Sequence, residues 1–83
     1  MVTIFVPDIP ELSPLVHAAR RVTQCQVEPP RRGYWQITAP GEIRFRRDDL
    51  GLTHALWNSA LSGGFCGRIV EYTSDALCVA SED

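Results

Sequence analysis

Apolar and polar residues alternate with a period of two along Val2-Thr3-Ile4-Phe5-Val6. The pattern predicts a strand with Val2, Ile4 and Val6 on one face and Thr3 and Phe5 on the other. An aromatic on the second face suggests that both sides are buried. Pro7-Asp8-Ile9-Pro10 stops the run. Ser13-Pro14 then reads as a helix entry, with serine as N-cap and proline at the first helical position, where a missing amide hydrogen is harmless. The helix expected over residues 15–21 turns Leu15, Val16 and Ala19 inward and leaves Arg20 and Arg21 at the negative end of its dipole. Residues 22–27 alternate well enough for a second strand, which Pro29-Pro30 should end.

Residues 34–39 and 42–46 read as two strands joined by Pro40-Gly41 in a type II turn. Trp35, Ile37 and Ala39 are the core-facing set of the first arm. On the second, Ile43 and Phe45 point inward while Glu42, Arg44 and Arg46 point out. Farther on, Leu50, Leu52, Leu56, Trp57, Ala60 and Leu61 fall on one arc of a helix, with His54, Asn58, Ser59 and Ser62 opposite. Asp48 or Asp49 is the expected cap and Gly63-Gly64 the expected stop. Residues 68–80 form a hairpin with Ser74-Asp75 in the turn, followed by a polar tail, 81–83. The order β-α-β-β-β-α-β-β predicts an α+β chain: a small single-domain two-layer fold over 1–83, with two short helices packed on an antiparallel or mixed β-sheet. A split barrel, or a dimer whose sheet continues across the interface, would satisfy the same pattern.

Composition changes this picture little. At 83 residues the core is thin, and self-association would help it. The 45% hydrophobic and 22% charged fractions are those of a globular chain. Charge is more informative. There is no lysine, and eight arginines face ten acids for a net charge of -2. From residue 31 to 47, however, five arginines accompany one acid, Glu42. That stretch carries +4 and leaves -6 for the remainder. Cys25, Cys66 and Cys78 are odd in number and form no CxxC pair, which suggests free thiols in a reducing, cytoplasmic setting. Neither a secretory leader nor a membrane-length apolar run is read in the chain, so no membrane partner is expected.

The candidate chemistry lies in two places. Arg31, Arg32, Tyr34, Arg44, Arg46 and Arg47 are the candidate ligand or partner contacts, with Arg44 and Arg46 on the outer face of one strand and Tyr34 or Trp35 available for stacking. Outward arginines also guard a sheet edge against unwanted pairing, without any partner. His54 and Cys66 are the candidate pocket residues. His54 sits at the wet margin of its helix, and Cys66 follows the glycine turn beside Arg68. The run SGGFCGR follows a helix and precedes a strand, the reverse of what phosphate-cradling glycine loops need. Asp8, Glu11 and His17, or Asp48, Asp49 and His54, match no metal-binding spacing. No catalytic residue, cofactor or metal is assigned. The leading expectation is a soluble protein-interaction, accessory or regulatory module using an arginine-bearing sheet face, with a protein partner or a second copy of itself. One alternative is a small enzyme or anionic-ligand-binding protein with a His54/Cys66 pocket at a subunit interface. Another is single-stranded nucleic-acid binding through residues 31–47, which the acidic chain disfavours.

Overall fold

The computed structural model describes residues 1–22 and 24–82; Thr23, in the expected second strand, and Asp83, in the expected tail, lie outside the described residues. The chain has the α+β character expected. Its strands divide between two antiparallel sheets. Strands β1 (Val2–Pro7), β2 (Gln26–Arg31), β3 (Tyr34–Ala39) and β5 (Phe65–Cys66) form the first, in the order β2-β3-β1-β5. Strands β4 (Glu42–Arg46), β6 (Arg68–Tyr72) and β7 (Ala76–Ala80) form the second, in the order β4-β7-β6. Helix α1 (Ser13–Arg21) links β1 to β2, and β3 lies between those two strands, making a split β-α-β unit. Helices α2 (Arg47–Leu50) and α3 (His54–Asn58) lie between β4 and β5.

One apolar cluster serves both sheets. Val2, Ile4 and Val6 of β1 meet Leu15, Val16 and Ala19 of α1, and the inward Ile43 and Phe45 of β4 join them with Leu77 and Val79 of β7. The inner faces of β1, α1 and β4 are therefore those the periodicity indicates. The hairpin at residues 74–75 also forms, with Tyr72 opposite Leu77.

The structure departs from the sequence reading at several element ends. Strands β3 and β4 do not pair across Pro40-Gly41; the chain crosses there from one sheet to the other, and the Ser81 amide donates to the Gly41 carbonyl at 2.8 Å. Ser13 does not cap α1. A 3-10 turn, Pro10–Leu12, runs straight into it, so Ser13 is already helical and Leu12 occupies the cap position without a side-chain bond. Strand β2 starts later than expected and contains Pro29 and Pro30. It is an edge strand whose pairing with β3 is irregular between Glu28 and Arg31, where amides missing from the ladder are tolerated.

The single long helix expected after Asp48 is two short ones. Gly51 takes the left-handed conformation, φ 67°, at the end of α2, and Thr53 restarts the chain by accepting the Leu56 amide on its hydroxyl at 3.3 Å. Asp48 and Asp49 lie within the first turn of α2 and cap nothing, since Arg46 is in the cap position. The apolar arc is still buried across the break, at Leu50, Leu52, Trp57 and Ala60, with Leu56 and Leu61 packed against it. Gly63 thus lies in a turn beyond the helix and Gly64 follows that turn, so neither stops the helix itself. Among the described residues no helix is long and apolar enough to cross a membrane.

Candidate functional site

The five arginines of residues 31–47 separate into groups with different surroundings. Arg47 is only 21% exposed. Its Nε and NH1 groups donate to the Ser74 and Leu52 carbonyls at 2.9 and 3.2 Å, and NH2 lies near Asp48 and Asp75. These contacts tie the β6–β7 turn to the helical segment. Arg44 lies between Glu42 at 3.5 Å and Glu71 at 3.7 Å, so two carboxylates already offset its charge. Arg46 is exposed and, with Arg44, rims a groove of about 300 Å³ beside α1 that also includes Val22, Phe45 and Asp49.

Arg31 and Arg32 have a different setting. Arg31 pairs with Tyr34 across the two-residue turn Arg32-Gly33, whose φ values of 55° and 86° are both left-handed, as a tight primed hairpin requires. The Asp8 amide donates to the Gly33 carbonyl at 2.8 Å and fixes this turn against the end of β1. Among the described residues neither Arg31 nor Arg32 forms an ion pair. Both line a groove of about 410 Å³ with Phe5, Glu28, Pro29, Tyr34 and Gln36.

Sheet register explains the grouping. Phe5 stands opposite Gln36, and Gln36 opposite Glu28, so the three share the outer face of the first sheet. Successive side chains alternate faces, and the inward neighbours Ile4, Val6 and Ile37 are buried. Phe5 is only half-buried. The sequence contained the signal for this. An inward Trp35, Ile37 and Ala39 requires an outward Tyr34, Gln36 and Thr38, but only the pairing of β1 with β3 brings Phe5 beside them.

Trp35 is not free to stack in this groove. Its indole Nε1 donates to Asp8 Oδ1 at 3.1 Å, and the Arg20 guanidinium covers its ring at 5.1 Å from the centroid. Tyr34 remains 41% exposed. The backbone at Gly63 abuts its ring so closely that an added Cβ would lie 2.9 Å from Cδ1 and Cε1. The structure therefore brings Arg31, Arg32 and Tyr34 together in one groove and Arg44 and Arg46 in another.

His54 and Cys66 are both exposed, at the start of α3 and in β5 opposite Thr3. None of the four described grooves is lined by both; Cys66 lines one with Met1, Phe65, Gly67, Ser81 and Glu82. Among the described residues no three His, Cys, Asp or Glu side chains converge as a metal site. Cys25, Cys66 and Cys78 are free thiols. No protein-family model matches the chain, and no curated protein matches it. A functional reading therefore rests on the chemistry of its own surface.

Proposed function

We propose that this protein is a small interaction module of accessory or regulatory type, which binds an acidic segment of a partner protein on the outer face of its first sheet. The observation that carries this reading is the pair of guanidiniums, Arg31 and Arg32, unpaired within the described chain and set beside the Phe5 and Tyr34 rings. Arginine offers carboxylates a planar, bidentate donor fork, and the neighbouring rings and Pro29 provide apolar contact for the rest of a peptide side chain. Beyond the hairpin the outer face carries Thr3, Gln26, Glu28, Gln36 and Thr38, which give a phosphate backbone no cationic track. A few carboxylates suit two arginines better than a polyanion does. The three free thiols support a reducing, cytoplasmic setting.

The test is an NMR titration with a glutamate-rich peptide containing one aromatic residue, run beside a single-stranded oligonucleotide. The peptide should shift resonances of Phe5, Arg31, Arg32, Tyr34 and Gln36. The double variant R31E/R32E should weaken it by about tenfold or more, the scale expected when charges central to a contact are reversed. Equal peptide affinity for wild type and variant would overturn the proposal. Preferential oligonucleotide binding that falls steeply with salt would replace it with nucleic-acid recognition.

A further inference from the structure

Among the described residues the two sheets have four open edges, and β2, β5 and β4 are blunted by recognised means. Strand β2 contains Pro29 and Pro30, β5 is two residues long, and β4 carries the charged Glu42, Arg44 and Arg46. Strand β6 differs. It is the remaining edge of the second sheet, and Ile69 and Val70 on it are 43% and 51% exposed. The other large apolar side chains exposed among the described residues, Met1, Ile9, Val22 and Tyr34, are not sequence neighbours of one another.

We infer that β6 is the contact strand of a symmetric dimer, in which a second copy of this chain adds its own β6 antiparallel and extends the second sheet. The charge pattern selects a second copy as the occupant. A bulge at Val70 shifts the pairing with β7, so that Arg68 lies opposite Ala80 and Glu71 opposite Cys78. Ala80 and Cys78 are two apart on β7, so the bulge puts Arg68 and Glu71 on the same face of β6. An antiparallel copy centred on Ile69 and Val70 sets each Arg68 across from the Glu71 of the other, twice about the two-fold axis. The same register brings the exposed Ile69 and Val70 of the two chains together at its centre. A strand that complements itself in this way meets the requirement of an isologous contact, in which one patch serves both subunits. Among the described residues Arg68 has no ion pair, and Glu71 has only its 3.7 Å contact with Arg44, which the Arg68 of the second copy would share.

The experiment is light scattering with size-exclusion chromatography on the full chain, from micromolar to near-millimolar concentration. Wild type should pass from monomer to dimer across that range. V70K, at a half-exposed bulge, and R68E, which sets like charges face to face, should each raise the dissociation constant by about tenfold or more. Far-ultraviolet circular dichroism checks that both remain folded, and R68E decides the matter if V70K does not. In wild type, amide exchange in β6 should slow as concentration rises. R31E/R32E should leave dimerisation unchanged, which separates this surface from the groove at the hairpin. A monomer throughout the range, or a dimer indifferent to both substitutions, would overturn the inference.

Discussion

Cys78 stands opposite Arg44, on the outward face of the second sheet, yet none of it reaches solvent. Its cover is a small polar lid: the thiol donates to Glu42 Oε2 at 3.1 Å, Glu42 meets Arg44 at 3.5 Å, and Arg44 reaches Glu71 at 3.7 Å. Burial, and then the bond to the Glu42 carboxylate, raise the thiol above its ordinary value near pH 9. The sign of the resulting pH dependence follows from linkage. Near and above pH 9 the unfolded chain releases this proton while the folded chain holds it, so the stabilisation is complete below pH 9 and is lost as pH climbs through the raised folded value. Urea midpoints measured upward from pH 7 should therefore fall above pH 9, and less steeply in Cys78→Ala. Identical slopes in the two proteins would show that another group, such as Cys25 or Tyr72, governs the loss. Both are also raised by burial.

At the scale of elements, the segment from Arg47 to Ser62 shows how one backbone position overrides a side-chain pattern. Helical periodicity reaches through Gly51 and specifies which residues are buried, and they are buried. It does not register that glycine at this position lets the chain turn left-handed and end the helix. The second short helix is held by what it packs on. Trp57 is fully buried, its indole donates to the Thr73 carbonyl at 2.7 Å, and the Tyr72 hydroxyl donates to the Trp57 carbonyl at 2.7 Å. If the break is a requirement of the fold, Gly51→Ala should cost about 1 kcal/mol despite the open space around that position. Chemical denaturation checks this; a stabilised variant would mean that a continuous helix is compatible with the core. The prolines of β2 make the complementary case. They do not end the strand, because an edge strand lacks a ladder on its outer side.

For the whole molecule, two sheets share a core that neither could fill alone. The crossing at Gly67, φ 146°, carries the chain from β5 to β6, and an added Cβ there would lie 2.7 Å from the Ala80 carbonyl oxygen. Strands β1, β3 and β7 each have a partner on both sides. Their amides, such as those of Ile4, Ile37 and Val79, should exchange slowest and together, while those of α3 and β2 open locally first. Hydrogen exchange followed by NMR tests this. Slow exchange confined to the first sheet, with β7 opening early, would show that the two sheets unfold as separate units.

What the sequence determined by itself was local: which residues of β1, α1, β4 and the helical segment face inward, where the last hairpin turns, and the α+β class. Those features follow from periodicities that each element carries within a few residues. Tertiary structure decided the rest. Pairing of β1 with β3 placed Phe5 beside Arg31, Arg32 and Tyr34, while partners distant in sequence, Glu71, Ser74 and Asp75, engaged Arg44 and Arg47. The strands were divided between two sheets by contacts between distant residues, and no local period encodes that division. The same cause left β6 as an exposed apolar edge: an edge is defined by the neighbour a strand lacks, and one strand's sequence does not specify its neighbours.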